Sequence, residues 1–220
     1  MLSLKNVSKA YVQRGQVLDD LSLDVNEGDS VSVMGPSGSG KTTLLNVIGL
    51  LDRPDKGSVL FRGKNISTFS EDESAGYRNR NIGFVFQEHL LLPHLTVSEN
   101  IFLPLLANRR NNAGHAEKEK HISSLLEITG ISTLKDKYPF QISGGEAQRV
   151  ALVRALANNP SMVLADEPTG SLDSKNAEIM GELLVRMNRE FGLTIILATH
   201  SAALSQRMSR QLILQSGKLV

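Results

Sequence analysis

Residues 35–42 read Gly-Pro-Ser-Gly-Ser-Gly-Lys-Thr, a glycine-rich loop closed by a cation and a hydroxyl. Those residue types suit phosphate. Gly35, Gly38 and Gly40 let the backbone curl so that successive N–H groups face an anion, with Pro36, Ser37 and Ser39 completing the loop. Lys41 adds a mobile positive charge, and the Thr42 hydroxyl can ligate Mg²⁺. The apolar run Ser30–Met34 precedes the loop, and Thr43 leads into an apolar stretch reaching Leu51, so a strand enters the loop and a helix leaves it. A second element is Met162–Glu167, an apolar run ending in two carboxylates. Asp166 stands where a strand-end acid can hold Mg²⁺ through water, and Glu167 where it can orient or deprotonate an attacking water. An ordinary Glu ionises near a pH of about 4.3, so Glu167 is an available base at neutral pH. The two strands are expected to end side by side at one face of a sheet.

A third element is Ser143-Gly144-Gly145-Glu146, which opens a helical stretch stopping before Asn159-Pro160. A Ser hydroxyl and glycine amides at a helix N-terminus suit an anion. An N-capping Ser ahead of a helix accounts for the same residues. The loop at 35–42 already takes one side of a nucleotide, which leaves this second helix end free to serve a neighbouring chain's.

These groups need a frame. Ser30–Met34, Met162–Ala165 and Thr194–Ala198 are short apolar runs bounded by Gly, Asp or Pro and read as buried parallel strands with helices between them. Residues 1–27 and 57–66 alternate apolar and polar side chains, as in Leu21-Ser22-Leu23-Asp24-Val25, and predict a half-exposed antiparallel lobe. Residues 88–142 carry helical periodicity at Ile122, Leu125 and Leu126, with a polar stretch from Asn108 to Lys120 read as a solvated loop. The 220 residues, 40% hydrophobic, can bury one large core. A net charge of +1 argues against a nucleic-acid partner. With no Cys, disulfides and thiolate metal sites are excluded. No apolar run approaches the ~18 residues that span a bilayer, and the chain start lacks a secretory leader, so a soluble, cytoplasmic chain is expected.

In this order and spacing the motifs resemble the ATP-binding-cassette (ABC) ATPase family over essentially the whole chain. The resemblance implies an α/β fold, a P-loop NTPase of ABC type: a mainly parallel core sheet with an antiparallel β lobe and a helical insert. One domain is implied, with residues 1–87 and 143–220 as nucleotide-binding core and 88–142 as insert. It further implies that Tyr11 stacks on adenine, that Gly35 to Thr43 cradle ATP, and that Thr42, Gln87 and Asp166 hold Mg²⁺. Glu167, His200 and Gln87 are then catalytic, His200 contacting the γ-phosphate. Ser143, Gly144, Gly145 and Glu146 bind ATP in trans, within a head-to-tail homodimer, and Ser171, Leu172 and Asp173 carry communication between subunits. Ile142 replaces the family's usual Leu, and Ala147 stands where Gln is frequent; neither change removes a phosphate-facing group.

Asn46–Pro54 and Gln87–Pro93 with Glu99-Asn100 are similar to the subgroup of lipoprotein-release and macrolide-export ATPases, with cell-division ATPases close by. That implies membrane permease partners and a peripheral place on the cytoplasmic face of the inner membrane, with lipoprotein release favoured over macrolide or peptide export. A non-transport ABC ATPase acting on nucleic acid is the reading from another class. The apolar segment from Glu88 to Leu106 is expected to meet the permease, with Leu91 and Leu95 among its exposed positions.

Overall fold

The computed structural model describes residues 1–107 and 115–220. Alternation over the first 25 residues gives two long strands, β1 (Leu2–Tyr11) and β2 (Gly15–Val25), paired antiparallel with Leu2 opposite Val25. Leu21, Leu23 and Val25 are buried while Ser22 and Asp24 face out, as a period of two requires. The chain then enters β3 (Ser30–Met34), turns through the glycine loop into α1 (Lys41–Ile48), and returns in β4 (Lys56–Phe61) to pair with the other side of β1. The short β5 (Lys64–Asn65) completes an antiparallel sheet in the order β2-β1-β4-β5.

The remaining strands are β6 (Ile82–Val85), β7 (Met162–Asp166), β8 (Thr194–Ala198), β9 (Arg210–Gln215) and β10 (Lys218–Leu219). They join β3 in a second sheet ordered β10-β9-β3-β8-β7-β6, parallel except for the terminal hairpin. All three strands expected from the buried runs are present and parallel. Their adjacency differs from expectation, because β8 lies between β3 and β7. Strand order is set by helical crossovers, which let a later strand slot between two earlier ones without disturbing either run. The phosphate loop and Glu167 therefore flank the end of β8 rather than meeting directly.

Helix α2 (Glu71–Asn81) precedes β6, and α3 (Val97–Leu106), α4 (His115–Ile128) and α5 (Gly144–Leu156) follow it; α6 (Ser174–Phe191) and the short α7 (Ala202–Ser205) flank β8. The solvated loop expected over 108–120 is helical from His115 onward, and residues 108–114 lie outside the described residues. Ala116-Glu-Lys-Glu-Lys120 consists of good helix formers, which extend the turn begun by the buried Ile122, Leu125 and Leu126. Those three belong to one hydrophobic cluster with Val97 and Ile101 on α3, Val150 and Val153 on α5, and Val163 and Ile195 on the core strands.

Leu91 also belongs to that core and is only 7% exposed, while Leu95 is half-buried. This overturns the expectation that they face solvent. Leu90 adopts a left-handed φ of 48°, and the kink turns Leu91 inward while Leu90 and Leu92 project out, 53% and 48% exposed. Asn100, fully buried, fixes the turn that follows: its Oδ1 accepts from Leu92 N–H, and its Nδ2 donates to the carbonyls of Leu92, Leu95 and Thr96.

Beneath the antiparallel lobe, Tyr77 packs edge-on against Phe61 and Phe69 at 5.2 and 6.4 Å between ring centroids. Its hydroxyl is buried with no hydrogen-bond partner among the described residues, and burial pushes its pKa up. An unpaired buried hydroxyl is destabilising. Tyr77→Phe is therefore expected to raise unfolding free energy by about 1 kcal/mol, read from the midpoint of urea denaturation. A lower midpoint would mean that the hydroxyl has a partner.

Candidate active site

The glycine loop is built to tolerances that exclude larger residues at two points. A Cβ on Gly35 would lie 2.2 Å from Leu214 O, and one on Gly40, at φ 107°, would lie 2.8 Å from Val17 O. Gly40 caps α1, whose first amides lack intrahelical acceptors and are left to face an anion. Lys41 folds back over the loop, donating to Gly35 O at 2.8 Å and Pro36 O at 3.2 Å. Its ammonium also lies 3.3 Å from His200 Nε2. An ammonium has only donors, so a hydrogen bond there requires Nε2 to accept.

Glu167 approaches the same histidine from the other side. Its N–H donates to Ala198 O at 2.9 Å, and its φ of 47° swings the side chain back toward β8. Oε2 accepts from the backbone N–H of His200 at 3.0 Å, and Oε1 lies 3.3 Å from Nε2. Oε1 is buried and has no hydrogen-bond partner among the described residues. The structure thus gathers Lys41, His200 and Glu167 at the carboxyl ends of β3, β8 and β7, with Asp166 level with Ala198 on β8.

Two clefts open beside Lys41. One, of 550 Å³, is lined by Arg14, Gln16, Val17, Gly38 and Gly40 together with Lys41, Thr42 and Thr43. The other, of 460 Å³, is lined by Tyr11, Val12, Gln13 and Asn46, sharing Arg14, Thr42 and Thr43 with the first. Tyr11 donates its hydroxyl to Asp52 Oδ2 at 2.6 Å, and Lys9 Nζ lies 2.8 Å from Asp52 Oδ1. Burial, and then the bond to Asp52, raises the phenol's pKa. Arg14 and Asn46 were not found from sequence. They lie on a turn and a helix flank with no motif of their own.

Gln87 follows β6. Its side chain lies over Gly170, whose added Cβ would come 3.1 Å from Nε2, and its carbonyl accepts from Ser171 Oγ at 3.0 Å. Leu172 packs on the core, and Asp173 caps α6 by accepting from the Asn176 N–H, a bond that holds its carboxyl below the usual range.

Ser143 to Glu146 lie elsewhere. Ser143 caps α5 in a reciprocal box: its Oγ accepts from Glu146 N–H at 3.3 Å, while Glu146 Oε2 accepts from Ser143 N–H and Oγ–H, both at 2.7 Å. The backbone bond is the main reason that Glu146 is held below the usual carboxylate range. The structure shows the capping reading of this segment, and it leaves Ser143 and Gly144 exposed at the helix start. Gly145 is buried; a Cβ there would meet Asn176 Oδ1 at 2.2 Å. Among the described residues no hydrogen bond or ion pair joins Ser143–Glu146 to Gly35–Thr43.

A family model described as ABC transporter matches residues 18–170. The lipoprotein-releasing system ATP-binding protein LolD 1 of Rhodopirellula baltica is 43% identical over 223 residues, covering 100% of this chain and 96% of its own. LolD of Myxococcus xanthus is 44% identical, covering 100% and 98%. Among solved structures, the dimeric post-hydrolysis state of the ATP-binding cassette MJ0796 bound to ADP and Pi superposes with a TM-score of 0.90. It is 41% identical and covers 100% of this chain and 96% of that one.

Proposed function

The chain belongs to the ABC transporter family and is an ATPase of that family, and from this premise we propose that it drives the release of lipoproteins from the inner membrane, working as a homodimer beneath a membrane permease. The observation that carries the reading is the convergence of Lys41, His200 and Glu167 on one phosphate loop, while the exposed helix start at Ser143 shares no hydrogen bond or ion pair with that loop among the described residues. One chain then holds half of each of two sites. Dimeric structures of the related cassette support such a pairing, and the full-length similarity to lipoprotein-releasing ATPases supports the cargo.

In the proposed site the α1 amides and Lys41 hold the β- and γ-phosphates, Tyr11 offers its ring to adenine, and Ser143 with the Gly144 and Gly145 amides of the second copy closes on the γ-phosphate. Glu146 contributes by holding Ser143 in place. Glu167 aligns and deprotonates the attacking water, with His200 and Gln87 keeping it in line. The oxygen donors of Thr42, Asp166 and Gln87 fit a hard divalent cation. Among the described residues no group of three or more His, Cys, Asp or Glu could form a cage, which suits Mg²⁺ shared with nucleotide oxygens. Such an ion would neutralise charge on the phosphates. Ser171 and Asp173 link each site to α6, and through Asn176 to Arg149 on α5.

Among the described residues no helix is long and apolar enough to cross a membrane, so the membrane is reached through the permease, at the cytoplasmic face. The proposed docking surface is an apolar groove of 460 Å³ lined by Leu51, Ile82, Phe84, Phe86, Pro104 and Ala155, among others. Leu90 and Leu92 stand exposed on the segment that follows Gln87. Leu92→Glu is expected to leave basal ATPase activity and thermal stability unchanged while abolishing stimulation by the permease in proteoliposomes. Full stimulation in that variant would remove this segment from the interface. Reconstitution with the permease and a lipoprotein-loaded bilayer tests the cargo: ATP-dependent release supports it, and ATP turnover without release overturns it.

A further inference from the structure

Strand β6 ends at Val85, and from Phe86 the chain crosses to the insert without a strand neighbour. Four of the next five carbonyls are nevertheless held, each by a side chain. Phe86 O accepts from Gln148 Nε2 at 2.6 Å, and Gln87 O from Ser171 Oγ at 3.0 Å. His89 O and Leu90 O accept from the two terminal nitrogens of Arg154, both at 2.7 Å. A planar guanidinium is the one side chain whose fork fits two successive carbonyls in fixed geometry. Helix α5 can deliver it there because it lies against β6 at backbone distance: a Cβ on Gly83 would meet Ala155 O at 2.4 Å.

Arg154 forms no ion pair with an acid among the described residues, and burial pushes its guanidinium below the usual arginine range. A cation partly withdrawn from water with only neutral carbonyls as partners is costly, which argues against a role as filler. Its second effect is on His89, whose pKa is lowered by burial and then by the neighbouring Arg154. The ring is thereby kept as a neutral acceptor for the Leu91 N–H, at 3.2 Å. Arg154 thus organises the downstream half of the crossing, while Gln148 and Ser171 hold the upstream half.

We infer that Arg154 is a positioning residue for Gln87, anchoring His89 and Leu90 so that the segment leading back to Gln87 keeps its side chain in place over Gly170. The inference rests on the proposed part of Gln87 in hydrolysis. Arg154 also lines the apolar groove beside α5, and it reaches Gln87 through the segment whose carbonyls it holds. The connection also ties the orientation of Gln87 to α5, the helix that begins at Ser143.

A double-mutant cycle in steady-state ATPase tests this, with thermal melts alongside. Arg154→Met is expected to lower kcat about tenfold with KM for ATP unchanged, and Gln87→Ala to lower it further. The double variant should match Gln87→Ala alone, since a residue that acts through Gln87 has no effect once Gln87 is gone. Arg154→Lys, which keeps the charge but lacks the fork, should recover only a small part of the loss. Losses that multiply in the double variant, or a lowered melting temperature with parental kcat, would overturn the inference. Should Arg154→Met fail to fold, Arg154→Gln runs the same cycle with one donor retained. A parental kcat for Gln87→Ala would instead overturn the role proposed for Gln87, and the positioning inference with it.

Discussion

Replacing Glu167 by Gln is expected to lower ATP turnover by roughly 10²–10⁴-fold while ATP remains bound and the dimer accumulates. The amide is nearly the same shape as the carboxylate, and its oxygen can still accept from the His200 N–H, so the left-handed turn at Glu167 has no reason to relax. What it loses is basicity. A step that requires a proton to leave the attacking water slows, whereas the ground state held by Lys41 and the α1 amides does not change. Because each bound nucleotide adds contacts across the proposed interface, blocking hydrolysis leaves those contacts in place, and mass action favours the dimer. Phosphate release and sedimentation in ATP measure the two effects together. Lys41→Ala provides the contrast, since nucleotide affinity itself should fall. Turnover in Glu167→Gln near the parental rate would remove Glu167 from the chemical step.

The second large effect is complementation. Chains carrying Lys41→Ala or Ser143→Arg should each lose activity, by roughly 10²-fold or more if each removes a principal group at the phosphates. Mixed together, they should recover activity that neither has alone. In the mixed dimer, the intact loop of the Ser143→Arg chain faces the intact Ser143 of the Lys41→Ala chain, and the other site is doubly broken. Recovery cannot come from within one chain, where Ser143–Glu146 and Gly35–Thr43 share no hydrogen bond or ion pair among the described residues. The absence of native Cys allows a direct check by cross-linking. Ser37 and Gly144 are the suitable positions, because Ser37 is exposed and a Cβ at Gly144 meets nothing within 4 Å, whereas Ser39 and Gly145 are buried. Inactivity of the mixture, with no ATP-dependent cross-link, would end the two-chain site.

Much of this site was legible because its groups sit on strands whose composition announces burial. Met162 to Ala165 and Ile195 to Ala198 are continuous apolar runs, Val31 and Val33 are buried on either side of a buried Ser32, and the candidate site begins where each stretch stops. The order of those strands was not legible, since β8 enters between β3 and β7 through contacts more than 25 residues apart in sequence. Helix α2 was missed for a different reason. Only Ser74 and Tyr77 are buried on it, so it has no apolar stripe to read, and its start is fixed by the Ser70–Glu73 capping box. The same Ser-x-x-Glu spacing was present at Ser143–Glu146 and could have assigned Glu146 to the cap from sequence. Arg154 gave no local signal at all. Its meaning depends on two carbonyls about 64 residues upstream.

The position of β8 bears on how this chain can change over generations. All five of its residues are fully buried and paired to β7, Ile195 to Ala198 pair with β3 as well, and its end adjoins both Lys41's partner His200 and the Glu167 amide. In an interior packed this closely, even one added methylene moves its neighbours. A substitution in β8 is therefore felt by the phosphate loop and by the Glu167 carboxylate at once, and the two halves of the proposed site cannot drift independently. Variation compatible with activity is expected to gather on the insert and the exposed lobe, where new partners can be accommodated while the engine beneath them stays the same.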